Sequence, residues 1–385
     1  MKNAVVIHYG EIGLKGKNRI LFEKTLAKNI ELALKDLINE KPIIKHGRLV
    51  LFISEKSDQI KDRLRCIPGI KYFAFSIVVP SDIEAIKEVA LKLAENKKGC
   101  FKVETYRSNK NFPLTSVDVN NIVGEYIAKH TKKKVNLGKP DFIVFIEICK
   151  NEAYIYSEKI RGVGGLPVFP NEKIISLLSG GIDSAVSSFL MMKRGCKIVF
   201  VHFFNYTRQS QNVELKIKNL VGILSRYQID SKLYMVPFRE IQMEIIKNIP
   251  SKLRMLVYRR FMMRIASKIA NLENAKAFVT GDSISQVASQ TLDNLNVIYS
   301  AADKPVFTPL SGMDKEEIID IAKRMGTYEV SILPYEDCCS FMVAKHPETR
   351  CDLKKIENAE KNLDIQGLVE NAISKMKEIS IEAKW

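Results

Sequence analysis

Ile174-Ile175-Ser176-Leu177-Leu178-Ser179-Gly180-Gly181-Ile182-Asp183-Ser184 is a short apolar run that breaks into two glycines flanked by hydroxyls and an acid. Residues 185–193 continue with an apolar face at helical spacing, and Gly195 closes the stretch. A buried strand, a tight loop and a helix N-terminus are predicted in that order. The first N–H groups of such a helix lack intrahelical acceptors and carry the positive end of its dipole, so an anion is favoured there. Paired glycines let the main chain approach that anion, and Ser179 and Ser184 add hydroxyl donors. The ending is not the Lys-Ser/Thr of a Walker A loop, and dinucleotide-type glycine spacing is absent. A generic Gly-Gly turn is the plain alternative, against which the flanking serines and Asp183 weigh.

Outward from the loop, strand-like runs at 173–178, 197–203, 232–236 and 276–280 alternate with helical stretches. This is the pattern of an α/β doubly wound parallel sheet, whose ligands bind beyond the carboxyl ends of the strands. Leu177, Leu178, His202, Phe203 and the Thr280-Gly281-Asp282 turn fall at such ends. His202 beside two phenylalanines reads equally well as a core histidine. The helical stretch 252–270 carries Arg259, Arg260 and Arg264, suited to phosphate or to a solvated face; Arg259 is the choice for the phosphate contact. Lys315 opens a helix, where a cation opposes the dipole unless an anion is near, although a surface lysine is the alternative.

Ahead of this region, residues 4–9, 17–37 and 43–53 read as strand, helix and hairpin of a small α+β module. A second compact module follows from residue 57, with strands at 72–79, 101–105, 142–148 and 153–157 and helices at 83–93 and 117–130. Arg161-Gly162-Val163-Gly164-Gly165-Leu166-Pro167 breaks all periodicity as a linker would. The expected domains are therefore 1–56, 57–165 and 166–385.

The formal charge is +16, with thirty Lys/Arg against nineteen Asp/Glu in residues 1–165 and thirty against twenty-five beyond. A basic front half suits a polyanionic partner, with solubility charge as the alternative. Lys132, Lys133 and Lys134 are candidate contacts to such a partner, or a solvated charge run. No apolar run approaches the roughly 18 residues of a membrane span. Seven cysteines without dense spacing read as free thiols, so a cytoplasmic protein is expected.

The loop resembles that of the PP-loop ATP pyrophosphatases, which adenylate a carbonyl oxygen and release pyrophosphate. His8-Tyr9-Gly10-Glu11-Ile12-Gly13-Leu14-Lys15-Gly16-Lys17-Asn18-Arg19 is similar to the signature opening tRNA 4-thiouridine synthetases. Gly281-Asp282-Ser283, followed by Gln286-Val287-Ala288-Ser289-Gln290-Thr291-Leu292, is similar to their nucleotide-site stretch, and Pro334-Tyr335-Glu336-Asp337-Cys338-Cys339 to their sulfur-handling segment. The resemblance runs from Tyr9 to Pro347. It implies an N-terminal ferredoxin-like domain, a THUMP domain gripping the tRNA acceptor end, and a PP-loop domain. The implied reaction is attack of O4 of a tRNA uridine, at tRNA position 8, on the α-phosphate of ATP, followed by displacement of AMP by sulfur.

The resemblance implies ATP contacts from Leu177, Leu178, Ser179, Gly180, Gly181, Asp183, Ser184, His202, Phe203, Arg259, Gly281 and Gln290. It gives catalytic roles to Asp183, Lys315, Cys338 and Cys339, with Mg2+ reached through ATP and Asp183 and no other protein-held metal. Cys338 is the candidate to accept sulfur or form a transient disulfide, and Cys339 to relay sulfur or supply a proton; small buried cysteines are the plain alternative. Two departures stand out. No C-terminal rhodanese domain is expected, because the chain closes at Trp385 on a Lys/Glu-rich stretch read as helical. Phe261-Met262-Met263-Arg264 stands where some methanogen relatives carry Cys-x-x-Cys, so an iron–sulfur cluster from Cys338, Cys339 and Cys351 is not expected. The sulfur donor is open among a cysteine desulfurase, a separate rhodanese and sulfide. A second role with the thiamine sulfur-carrier protein, and a homodimer, are compatible with the family. Competing readings are another PP-loop chemistry, such as amidation or lysidine formation, and a non-catalytic tRNA-binding protein with structural ATP.

Overall fold

Strand β1 (Lys2–Tyr9) buries Ala4, Val5, Val6 and Ile7 on both of its faces, so it belongs inside a covered sheet. The computed structural model, which describes residues 2–45, 47–108, 112–205, 210–334, 342 and 344–385, shows this. The chain forms two compact units, Met1–Pro167 and Val168–Trp385.

In the first unit β1 is followed by α1 (Arg19–Leu34), β2 (Ile43–Lys45), β3 (Arg48–Ile53), α2 (Asp58–Cys66) and β4 (Ile70–Pro80). Then come α3 (Ile83–Glu95), β5 (Phe101–Arg107), α4 (Ser116–Thr131), β6 (Phe142–Cys149), β7 (Glu152–Tyr156) and β8 (Ile160–Arg161). The strands make one eight-stranded sheet in the order β2-β3-β1-β4-β7-β6-β5, with β8 beside β4. Among the described strands of this sheet, β5 and β6 alone run parallel. β4, grouped by sequence with the second module, pairs along β1 from Lys2↔Val78 to Tyr9↔Ile70 and meets β7 on its other edge. The sheet is thus continuous through the 56/57 position. Helices α3 and α4 cover β5 to β7 with Ile86, Val89, Val123 and Ile127. A Thr115–Asp118 capping box starts α4, and Lys132, in the left-handed region at φ 58°, ends it.

The opening motif supplies ties within this unit. His8 Nε2 lies 2.9 Å from Glu147 Oε1, and its ring stacks on Tyr72 at 4.4 Å. Glu147, 2% exposed, also accepts from Tyr156 OH at 2.6 Å and from Arg48. Burial alone would push this carboxyl up, but the hydrogen bond and charge of His8, then Arg48 and Tyr156, hold it at about 2.

The second unit begins with β9 (Lys173–Leu177), α5 (Ile182–Lys193), β10 (Lys197–Phe204), α6 (Ser210–Leu224), β11 (Asp230–Pro237), α7 (Arg239–Asn248) and α8 (Arg254–Glu273). It continues through β12 (Phe278–Val279), α9 (Leu292–Tyr299), β13 (Val306–Phe307), α10 (Lys315–Met325) and α11 (Tyr328–Ser331). It closes with α12 (Leu353–Glu360), α13 (Ile365–Ser374) and β14 (Lys377–Glu382). The sheet order is β13-β12-β9-β10-β11-β14, parallel except for β14. Alternate residues Ile175, Val199, Val201 and Val236 pack with Val257, Phe261 and Ile265 of α8. Their neighbours Ile174, Ile198 and Phe200 are buried too, and α5 and α6 also pack against β10. The stretch before Trp385 is not helical to its end. Ile379 and Ile381 alternate with polar residues, and β14 adds to the edge of β11 from Asp230↔Glu382 to Met235↔Lys377. Among the described residues, no helix is long and apolar enough to cross a membrane.

Candidate functional site

β9 delivers the chain to the glycine loop. Gly180 turns it at φ +89°, a region costly for any residue with a Cβ, and Gly181 enters α5 in extended conformation. No side chain caps α5, so its leading N–H groups form an anion site. Ser184 Oγ accepts from Ser179 N at 3.1 Å and lies 3.0 Å from Ser179 Oγ, which accepts from Gly181 N at 3.3 Å. Ser188 Oγ donates to Ser184 O at 2.7 Å and meets Ser176 Oγ at 2.8 Å, fixing the first turn of α5 to β9. Gly281 presses on the same turn: a Cβ there would sit 2.6 Å from Ser184 N and 2.8 Å from the Asp183 carbonyl carbon.

A cavity of about 440 Å³ opens at the carboxyl ends of β9, β10 and β12. Leu177, Leu178, Ser179, Asp183, Ser184, His202, Phe203, Arg259, Gly281 and Gln290 all line it; Gly180 and Gly181 complete the loop between Ser179 and Asp183. Met255 and Met262, which sequence reasoning did not place at the site, and Val287, from the stretch similar to the family's nucleotide site, give the wall further apolar surface, and Thr280, Asp282 and Ser289 add polar atoms. His202, 3% exposed, donates from Nδ1 to Leu178 O at 2.7 Å, so it is both a packed core residue and a cavity wall.

The three arginines of α8 separate clearly. Arg260 and Arg264 grip Glu360 of α12 at 2.6–3.1 Å, a buried tie between helices. Arg259 faces the cavity and donates from Nη2 to Asp282 Oδ2 at 2.6 Å. Burial would raise the Asp282 carboxyl, but the Arg259 charge and hydrogen bonds from Tyr299, Arg259 and Thr280 hold it below the ordinary carboxylate range. Asp282 was legible as part of the turn after β12 and of the stretch similar to the family's nucleotide site, without a role of its own.

Lys315, first residue of α10, has the anion that its position demands: Nζ lies 2.6 Å from Asp183 Oδ1. Gln286 Nε2 donates to Asp183 Oδ2 at 3.1 Å. Cys338 and Cys339 lie outside the described residues. Cys351 is buried, with its N–H on Asn294 Oδ1 at 3.1 Å, and burial pushes its thiol up, a poor setting for a thiolate ligand. Among the described residues no His, Cys, Asp or Glu group is arranged to hold a metal by itself. Lys132, Lys133 and Lys134 follow α4 in the first unit, and Lys134 O accepts from Phe101 N at 3.0 Å.

Three family models match the chain: a ThiI ferredoxin-like domain over residues 4–74, a THUMP domain over 80–158, and Thiamine biosynthesis protein (ThiI) over 169–365. A protein of Caldanaerobacter subterraneus subsp. tengcongensis named probable tRNA sulfurtransferase is 42% identical over 373 residues, covering 96% of this chain and 98% of its own. One of the same name from Clostridium kluyveri is 43% identical, covering 99% of this chain and 100% of its own. A crystal structure of a 4-thiouridine synthetase–RNA complex with bound ATP is 36% identical, with a TM-score of 0.90 over 99% of this chain and 100% of that one.

Proposed function

On the premise that this chain belongs to the ThiI family, we infer that it is an ATP-dependent tRNA sulfurtransferase forming 4-thiouridine. The observation that carries the reading is the full-length likeness to tRNA sulfurtransferases, and the cavity beside the Ser179–Ser184 loop supplies a place for ATP.

Uracil O4 attacks the α-phosphorus, the bond from that phosphorus to the bridging oxygen breaks, and pyrophosphate leaves with the electron pair. The loop N–H groups and the α5 dipole stabilise the charge gathering on that leaving group. Leu177, Leu178, Phe203, Met255 and Met262 form an apolar slot for the adenine, and Arg259 answers phosphate charge. Lys315, held by Asp183, is positioned to follow the phosphates as charge develops. Asp183 offers one carboxylate, which fits Mg2+, an ion that takes few protein oxygens alongside phosphates and water. When bound, Mg2+ neutralises phosphate charge.

Adenylation turns a poor leaving oxygen at C4 into AMP. The terminal sulfur of a persulfide on Cys338 attacks C4, the C4–O bond breaks and AMP departs; a thiolate, with Cys339 as the adjacent candidate, then attacks the Cys338 sulfur, so that a disulfide forms as the 4-thiouridine sulfur leaves, and a cellular dithiol reduces that disulfide before the next turnover. The persulfide's outer sulfur comes from a cysteine desulfurase or a rhodanese, which pass on sulfane sulfur; sulfide, when it is the donor, attacks C4 directly and displaces AMP with no persulfide formed. The basic first unit, with Lys132 to Lys134, receives the tRNA, and the enzyme works in the cytoplasm. The same activation applied to a carrier protein's C-terminal carboxylate would serve thiazole formation; the family description names thiamine biosynthesis.

The test incubates unmodified tRNA with the protein, Mg-ATP and sulfide, then analyses the nucleosides by mass spectrometry. 4-Thiouridine that depends on ATP is expected; an aminated base, or no modification, overturns the reading.

A further inference from the structure

The cavity wall holds a carboxylate that the chemistry above leaves without a task. Asp282 is 4% exposed, and four donors converge on it. Its Oδ2 accepts from Arg259 Nη2 at 2.6 Å, Thr280 Oγ1 at 2.8 Å and Tyr299 OH at 2.5 Å, and its Oδ1 accepts from Gln290 Nε2 at 3.0 Å. Arg259 and Gln290 line the cavity, whereas Tyr299 is not among its lining residues.

Two consequences follow from donor and acceptor counting. A guanidinium on a long stem is fixed by a charge-assisted bond to a buried carboxylate. A carboxamide can present either its oxygen or its NH2, and an anion at 3.0 Å from Nε2 settles which end faces away from Asp282. The remaining atom, Gln290 Oε1, is buried and makes no hydrogen bond within the described residues. A buried acceptor in a cavity wall calls for a donor on the ligand, such as an amine or hydroxyl.

We infer that Asp282 is a positioning residue that holds the Arg259 guanidinium and turns the Gln290 carboxamide so that its oxygen meets the nucleotide, with Tyr299 and Thr280 acting through it. This rests on the ATP reading of the cavity. An acidic side chain is needed because an amide at 282 would set its own NH2 against one of the donors it faces. Oδ2 already accepts three hydrogen bonds, so it serves these side chains and not a metal.

The test measures ATP affinity by calorimetry, and ATP-dependent thiolation, for the full chain and for Asp282→Asn, Arg259→Ala, their double variant and Tyr299→Phe. Asp282→Asn should weaken ATP binding about tenfold or more, and Tyr299→Phe about threefold. The thiolation kcat of Tyr299→Phe at saturating ATP should stay within about twofold, the loss lying in KM. Because Asp282 acts through Arg259, the double variant should lose far less than the product of the single losses. Unchanged affinity in Asp282→Asn, or multiplicative losses in the double variant, overturns the inference. If Asp282→Asn does not fold, Tyr299→Phe decides, and its unchanged affinity overturns the inference. A wild-type chain that does not bind ATP removes the functional reading itself, whereas wild-type binding matched by every variant removes only the role of Asp282.

Discussion

Glu147 in the first unit and Asp282 in the second are both buried carboxylates surrounded by donors; Asp282 borders the cavity at the carboxyl ends of β9, β10 and β12, and Glu147 sits among strands of one sheet. Glu147 is closed in by His8, Arg48 and Tyr156, and these bonds tie β1, β3, β6 and β7 together. Asp282 holds Arg259 and Gln290, which line the cavity where substrate belongs. The same chemical device therefore stabilises a sheet in one place and orients a binding wall in the other.

The contrast breaks most sharply at the cavity's own carboxylate. Asp183→Ala should lower tRNA thiolation by about a thousandfold, the scale of losing a preorganised charge at the reacting phosphates, while leaving the thermal unfolding midpoint unchanged. Nucleoside analysis beside a calorimetric scan checks both halves. Glu147→Gln should do the reverse. Removing one member of a buried charged group costs about 3–5 kcal/mol, so hydrogen exchange of the β1 and β6 amides should accelerate while ATP affinity stays within about twofold.

Acid sharpens the same comparison. The Glu147 carboxyl titrates at about 2 when folded against an ordinary 4.5, so the unfolded chain takes up the proton first. Its stabilisation is present above the ordinary value and is lost as pH falls through that window. Acid unfolding of the first unit should therefore be flatter between these two values in Glu147→Gln, as followed by β-sheet circular dichroism.

The smallest effect is expected at the lysines that follow α4. Changing Lys132, Lys133 and Lys134 to Gln should weaken tRNA binding about tenfold, flatten its salt dependence and leave ATP binding intact, as read by filter binding across salt concentrations.

Local signals made much of this legible. The loop, the turn residues and the start of α5 are contiguous in sequence, so strand, glycines and helix could be read as one unit. Lys315 at a helix start pointed to an anion, and Asp183 is there. Long-range pairings were less legible. β4 joins β1 across more than sixty residues, and nothing in either strand's own alternation names its partner. β14 was hidden in a Lys/Glu-rich tail because its two isoleucines gain a face only once the edge of β11 is formed. Asp282 stood in a quoted motif, but its role depends on donors from α8, α9 and the preceding turn that meet only in three dimensions. Cys338 and Cys339 lie outside the described residues, and their chemistry rests on the family likeness.

The most direct measurement follows one oxygen atom. Transfer RNA carrying ¹⁸O at uracil O4 is thiolated with unlabelled ATP, and the products are examined by mass spectrometry. If the loop holds pyrophosphate while O4 is adenylated, every 4-thiouridine formed should be matched by one AMP bearing the label in its phosphate and by one unlabelled pyrophosphate. Label released into water, or 4-thiouridine formed without labelled AMP, would contradict the account.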